Sequence, residues 1–113
     1  MRMRVVLYTA EERKTPMQML HIIAGALNIR PEVYSMKTRK RDVAELRFLT
    51  SLLLRKFYPR VTLKQIALLY GGQDHTSIMN GIDRATNLLE TYDLNFTKKY
   101  NTALNAVLSW LKD

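Results

Sequence analysis

Short polar side chains follow paired glycines in the segment YGGQDHTSIMNGI, residues 70–82. The segment contains three of the chain's four glycines and one of its two histidines. Aspartate can accept a hydrogen bond from the cytosine amino group, histidine can donate to guanine, and threonine offers a hydroxyl and a methyl group. Asp74, His75 and Thr76 are therefore candidates for reading base edges in the major groove of double-stranded DNA.

Catalytic and purely structural interpretations of these residues compete with base reading. Asp74 beside His75 could suggest a hydrolase, but adjacent residues at a helix start point in different directions, and no activated Ser or Cys accompanies them. His21 lies 54 residues from His75, and a metal site would need further carboxylates. We therefore predict no catalytic residue, no metal and no cofactor. Asp74 could still be a simple helix cap and His75 an ordinary surface residue.

The positive charge of the chain is concentrated in its first half. The formal net charge is +8, with 13 Lys and Arg against 5 Asp and Glu in residues 1–60 and 5 against 5 in residues 61–113. Long-range attraction and counterion release favour a polyanionic partner, nucleic acid before membrane. The alternative is a basic surface that only keeps the protein soluble.

Composition predicts one soluble, folded domain. The 113 residues are 47% hydrophobic and 25% charged, and no apolar run is long enough to span a bilayer. The first residues become charged before a secretory apolar region develops, which favours the cytoplasm. The chain has no cysteine, so it has no disulfide and no cysteine-based zinc site.

Helix-start signals divide the chain into about five helices, which predicts an all-α bundle. Three pairs have the spacing of a capping box: Thr15 with Gln18, Asp42 with Glu45, and Thr62 with Gln65. Asp74 is the expected N-cap of a fourth helix, and a last helix is expected over about residues 95–111. Residues 1–14 hold the β-like run VVLY without a partner strand, and we expect a loosely ordered extension before a single helical domain, residues 15–113.

Apolar residues at helical spacing predict the core faces of the longer helices. Those expected in the core are Val43, Leu46, Leu49, Leu53, Phe57, Ile78, Ile82, Ala85, Leu89, Phe96, Tyr100, Ala103, Val107 and Trp110.

A two-turn helix, a glycine-containing connection and a longer helix follow one another over about residues 62–90, which is the plan of a helix-turn-helix. Gly71 is placed where a left-handed backbone is needed, and Ala67 where two helices approach closely. With Ile78 and Ile82 facing inward, the start and outer side of the second helix carry Asp74, His75, Thr76, Met79 and Asn80.

The segment GGQDHTSIMNGI, preceded by TLKQIALLY, resembles the recognition-helix start in the C-terminal DNA-binding domain of the bacterial replication initiator DnaA. That family has a Gly-Gly-Arg-Asp-His-Thr-Thr-Val stretch there. The resemblance extends upstream through KTRKRDVAELR, where the family has a basic loop and a helix, and it covers residues 17–111. It implies a Trp-repressor-like helix-turn-helix that binds short, non-palindromic duplex boxes as a monomer in a bacterial or phage-infected cell, on the nucleoid.

The resemblance also assigns roles to single residues. Asp74, His75 and Thr76 would read bases in the major groove, and Arg39 would enter the adjacent minor groove. Backbone or nearby contacts would come from Lys37, Lys40, Arg41, Arg47, Arg55, Gln73, Ser77, Met79 and Asn80. From composition alone, a run such as KTRKR is more often a solvated basic loop than a groove reader, but its place just before the core helix favours groove reading.

Departures from the family pattern qualify these expectations. Gln73 replaces the usual Arg and Phe48 replaces a polar residue, and each change is expected to remove a phosphate contact. The family's ATPase module is not in this sequence, so nucleotide is expected to change neither DNA affinity nor thermal stability.

The alternative function is a helical adaptor that acts on the replication initiator or another protein. RNA binding is disfavoured because most Tyr and Phe residues sit at core spacing.

Overall fold

The structure is a computed structural model that describes residues 14–113. This part of the chain contains five α-helices and one short 3₁₀ helix, and it has no β-strand. They are α1 (Pro16–Ala26), the 3₁₀ helix (Pro31–Ser35), α2 (Arg41–Phe57), α3 (Leu63–Leu69), α4 (His75–Glu90) and α5 (Leu94–Lys112). The predicted all-α fold of about five helices is confirmed. The extension predicted for residues 1–14 lies outside the described residues, apart from Lys14.

Two of the three predicted capping boxes are present. Thr15 caps α1 and Thr62 caps α3, and in each the glutamine three residues on accepts a hydrogen bond from the backbone N–H of the cap. Asp74 caps α4 as predicted, because its carboxylate accepts from the backbone N–H of Thr76 at 3.3 Å. Local hydrogen bonds that need only neighbouring residues therefore set these helix starts.

The capping box predicted for Asp42 and Glu45 is wrong. Helix α2 begins at Arg41 after Lys40, and no side chain caps it. The Glu45 carboxylate is buried and instead accepts from Lys99 Nζ of α5 at 3.1 Å and from Arg41 Nε at 3.3 Å. Two bonds to cations outweigh one bond to a neutral backbone N–H. Glu45 therefore joins α2 to α5.

Three helices end in the same way, with a residue in the left-handed conformation. These residues are Asn28 after α1 (φ 58°), Gly71 after α3 (φ 81°) and Tyr92 after α4 (φ 55°). After α4, the N–H of Tyr92 donates to the carbonyl of Leu89 at 3.2 Å, and the N–H of Asp93 donates to the carbonyl of Leu88 at 3.0 Å. This is the pattern of a Schellman motif. Asparagine and glycine suit this position, whereas tyrosine is strained there.

Tyr92→Gly is expected to stabilise the fold, because Tyr92 is 79% exposed and loses little packing when it is replaced. Relief of the left-handed strain should raise the free energy of unfolding by about 1 kcal/mol. Urea denaturation measures this change. Tyr92→Ala removes the same ring but keeps a Cβ, so it serves as the control. Equal stability of the two variants would contradict the strain at this residue.

Helix α2 lies at the centre of the fold. It packs most extensively against α4, while α1 packs against α5 and α3 against α4. Most of the predicted core residues are buried, although Val43, Phe57, Ile82, Leu89 and Trp110 are only partly covered. The packing of α4 on α2 places the start of α4 beside the loop that precedes α2. No helix in residues 14–113 is long and apolar enough to cross a membrane.

Candidate nucleic-acid interface

The connection between α3 and α4 is closed by hydrogen bonds to two carbonyls of α3. Five residues, 70–74, separate the helices. The N–H of Gly71 donates to Leu68 O at 3.0 Å, and the N–H groups of Gly72 and Gln73 donate to Ala67 O at 2.9 and 3.1 Å. Gly71 and Gly72 both have positive φ, so the predicted left-handed conformation at Gly71 is confirmed. The chain thus reverses tightly and α4 begins at the surface.

Gly71 also lies against the 3₁₀ helix. A Cβ added to Gly71 would lie 2.7 Å from the Cβ of Ser35, which is closer than side-chain carbons pack. By contrast, a Cβ added to Gly72 would meet no atom within 4 Å. The first glycine is therefore required both by its backbone conformation and by a close approach. This approach brings the chain before α2 into contact with the helix-turn-helix.

Two stacked tyrosines fix the same contact from within the core. The rings of Tyr34, in the 3₁₀ helix, and Tyr70, at the end of α3, lie 5.3 Å apart at an interplanar angle of 14°. Their hydroxyls pair with two hydroxyls of α2, Tyr34 with Thr50 at 2.7 Å and Tyr70 with Ser51 at 2.8 Å. Burial raises the pKa of both tyrosines, so they stay neutral. This cluster joins the 3₁₀ helix, α2 and α3 into one unit.

Arg47 of α2 binds the 3₁₀ helix and the basic loop that follows it, residues 36–40. Its Nε donates to Tyr34 O at 3.0 Å, one Nη donates to Thr38 O at 3.4 Å, and the other donates to Met36 O. Burial lowers the pKa of the guanidinium, opposed by the electrostatic effect of Tyr70. An arginine pKa starts so high that the group remains charged. The predicted role of Arg47 as a phosphate contact stays a prediction, and its bonds in the structure are to carbonyls.

A groove of about 470 Å³ separates the basic loop from the helix-turn-helix connection. The loop forms one wall, and the connection that ends at Asp74, the N-cap of α4, forms the other. Its lining residues are Ser35, Met36, Lys37, Thr38, Arg39, Arg47, Gly71, Gly72, Gln73 and Asp74. Cationic loop side chains and the N-cap of α4 thus face the same opening, whereas His75 and Thr76 do not line it.

Most of the predicted site residues are exposed to solvent. On α4 and its cap these are Asp74, His75, Thr76, Ser77, Met79 and Asn80, with Ile78 buried beneath them. The imidazole Nδ1 of His75 lies 3.6 Å from the Asp74 carboxylate. The basic residues Lys37, Arg39, Lys40 and Arg41 are exposed too. Gln73, in the connection before α4, is half-buried. The start of α4 therefore offers exposed polar side chains to a partner.

Besides Arg47, two more of the predicted basic residues have partners within the protein. Arg41 forms an ion pair with Glu45 in the next turn of α2. Arg55, near the end of α2, donates from Nη1 to the carbonyl of Val61 at 2.7 Å, just before α3. Neither residue lines the groove. A phosphate contact from Arg41 or Arg55 would therefore have to form beside, or in place of, its bond within the protein.

The residues that hold the two walls of the groove together were not predicted from the sequence. Ser35, Tyr34 and Tyr70 carry no local motif, and only the small residue at position 71 indicates a close approach. Phe48 was expected to mark a lost phosphate contact, and the structure shows a packing partner for it. A Cβ on Gly81 of α4 would lie 2.8 Å from Phe48 Cδ1, so the ring occupies the space that this glycine leaves open.

Within residues 14–113, no group of three or more His, Asp or Glu side chains is arranged to hold a metal ion.

A family model described as the bacterial dnaA protein helix-turn-helix matches residues 16–85, more than half of the chain. The chain belongs to the DnaA C-terminal helix-turn-helix family. The resemblance predicted from the Asp-His-Thr segment is thereby confirmed. In this family the domain binds double-stranded DNA in replication initiation.

Similar proteins are chromosomal replication initiator proteins DnaA. One from Thermus thermophilus is 30% identical over 76 residues, 67% of this chain and 17% of the relative. The one from Gloeobacter violaceus is 34% identical over 65 residues, which cover 58% of this chain and 14% of the relative. The one from Aliarcobacter butzleri is 31% identical over 101 residues, which cover 89% of this chain and 22% of the relative. This chain thus spans less than a quarter of these DnaA relatives. No solved structure matches it significantly.

Proposed function

We propose that this DnaA-type domain binds short, specific sites in double-stranded DNA as a monomer, in replication initiation or its regulation, and without catalysis. The groove between the basic loop and the start of α4 is the observation that carries the proposal. A cationic loop suited to the minor groove lines one wall, and Asp74 on the other wall is the N-cap from which α4, suited to the adjacent major groove, begins. The nucleoid of a bacterial or phage-infected cell is the expected place of action.

Asp74, His75 and Thr76 are the proposed base readers. They are exposed at the N-terminus of α4, the end that a recognition helix places in the major groove. Their donors, acceptors and methyl group match base edges there. Asp74 would also be repelled by phosphate, so its place at this surface favours base contact over backbone contact.

The basic loop is proposed to read the minor groove and to hold the DNA backbone. Arg39 is exposed on the groove wall and is the residue proposed to enter the minor groove, whose narrow A/T-rich form concentrates negative potential. Backbone or nearby contacts are proposed for Lys37, Lys40, Arg41, Arg47, Arg55, Gln73, Ser77, Met79 and Asn80. Because these contacts are mostly electrostatic, they supply affinity and not sequence preference.

Selection of bound sites from random duplexes tests the proposal. We expect one short, non-palindromic sequence to be enriched, with saturable binding that a scrambled duplex of equal length does not compete away. Sedimentation should give one protein per site. Absence of any enriched sequence would remove the base-reading assignment and leave only non-specific binding.

A protein-interaction adaptor that acts on the replication initiator or another partner is the alternative function. The large apolar side chains Leu68, Tyr92 and Leu94 are 73%, 79% and 79% exposed. Tyr92 and Leu94 lie two residues apart, and a protein partner would cover them if they form one apolar patch, the kind of surface typical of protein contacts. Such an adaptor would show no saturable, sequence-dependent duplex binding, so the same selection experiment separates the two functions.

Affinity for the preferred duplex is expected to fall steeply with salt. Four to six phosphate contacts from the basic side chains would release condensed counterions, which gives a slope of log affinity against log salt of about −4 to −5. Titrations at several salt concentrations measure it. A slope shallower than about −1 would contradict the phosphate contacts.

A further inference from the structure

The basic loop, residues 36–40, has little support of its own. The N–H of Thr38 donates to Met36 O at 3.1 Å, and the N–H of Lys40 donates to the Thr38 hydroxyl at 3.2 Å. Lys37, Arg39 and Lys40 point their side chains into solvent. Contacts from outside the loop must therefore decide where Arg39 stands relative to α4.

Arg47 supplies such contacts on one side of the loop. Its guanidinium donates to the carbonyls of three alternate residues, Tyr34, Met36 and Thr38. A guanidinium presents five N–H groups in a rigid plane, so one side chain can bind all three carbonyls at once. A lysine ammonium carries the same charge but has neither the fork nor its reach.

The same residue is tied to the helix-turn-helix by its backbone. The Tyr70 hydroxyl donates to the carbonyl of Arg47 at 3.3 Å, and Tyr70 ends α3 directly before the connection to α4. Tyr34, whose carbonyl accepts from the Arg47 side chain, stacks on Tyr70. Arg47 thus contacts the basic loop through its side chain and the helix-turn-helix through its main chain.

We propose that Arg47 is a positioning residue that fixes the distance between Arg39 and the recognition helix α4. With this distance fixed, Arg39 can enter the minor groove while α4 occupies the adjacent major groove of the same site. Arg47 acts through the loop carbonyls, and its charge is secondary to its shape. This inference rests on the proposed function, in which Arg39 reads the minor groove.

The Arg47→Lys variant tests the inference, because it keeps the charge and removes the fork. Affinities are measured for duplexes that differ only in an A/T-rich or G/C-rich flank beside the selected box, and for duplexes that differ only in the box. Arg39→Ala is expected to reduce the flank preference by about tenfold. Arg47→Lys should reduce it nearly as much, while box discrimination and the salt slope stay within error.

The double variant Arg39→Ala/Arg47→Lys should lose no more flank preference than Arg39→Ala alone, because both changes act on one contact. Arg60→Lys, a charge-conserving change at an exposed arginine outside the proposed interface, is the matched control and should leave the flank preference unchanged. Urea denaturation checks that each variant is folded. If Arg47→Lys does not fold, Arg47→Gln, which keeps one amide donor, is measured in its place.

The outcomes separate the inference from the proposed function. Full flank preference in folded Arg47→Lys, with loss in Arg39→Ala, overturns the positioning role and leaves the proposed function intact. Independent, additive losses overturn it as well, because Arg47 would then affect the flank preference without acting through Arg39. If Arg39→Ala has no effect and no box is preferred, the proposed function itself has failed.

Discussion

The variants His75→Ala and Thr76→Ala are each expected to lose about 1–3 kcal/mol of binding free energy on the preferred duplex and much less on random duplex. Both side chains are exposed at the start of α4, so their removal should leave folding unchanged. Specificity would fall while the electrostatic part of binding survives. Competition titrations with the two duplexes measure the ratio.

Two controls accompany this experiment. Thr102→Ala, an exposed threonine of α5, repeats the Thr76 change away from the proposed interface and should have no effect on binding. Asp74→Ala requires a stability measurement, because loss of the N-cap alone lowers stability by about 1 kcal/mol. If the folded His75 and Thr76 variants keep full preference for the selected box, residues 70–82 form only a structural turn.

Gly71→Ala is expected to lower the free energy of unfolding by about 2–4 kcal/mol, from the left-handed strain and the close contact together. The added Cβ would meet the Ser35 Cβ at 2.7 Å and push the 3₁₀ helix away from the connection. Because the 3₁₀ helix leads into the basic loop, binding to the preferred duplex should weaken too. Urea denaturation and duplex titration measure the two effects.

Gly72→Ala is the matched control for Gly71→Ala. Its φ is also positive, at 92°, but an added Cβ meets open space, so only the strain remains. The Ser35→Gly/Gly71→Ala double variant removes the atom that the new Cβ meets and should recover the contact part of the loss. Equal destabilisation in both single variants, without recovery in the double variant, would show that the close approach is unimportant.

The sequence by itself predicted the features that depend on neighbouring residues. The caps at Thr15, Thr62 and Asp74 are decided by hydrogen bonds within three residues, so spacing alone reveals them. The left-handed turn at Gly71 follows from a conformation that glycine adopts without strain. The apolar stripes predicted the buried faces of α2, α4 and α5, since helical spacing places such residues on one side.

Only the tertiary structure decided which groups meet across the chain. Glu45 has the spacing of a cap, yet Lys99, 54 residues later, takes its carboxylate. Nothing near Arg47 in the sequence indicates that its guanidinium binds the carbonyls of Tyr34, Met36 and Thr38. These bonds require α2 to pack against α5 and against the 3₁₀ helix with its following loop, because only tertiary packing brings these distant donors and acceptors within reach.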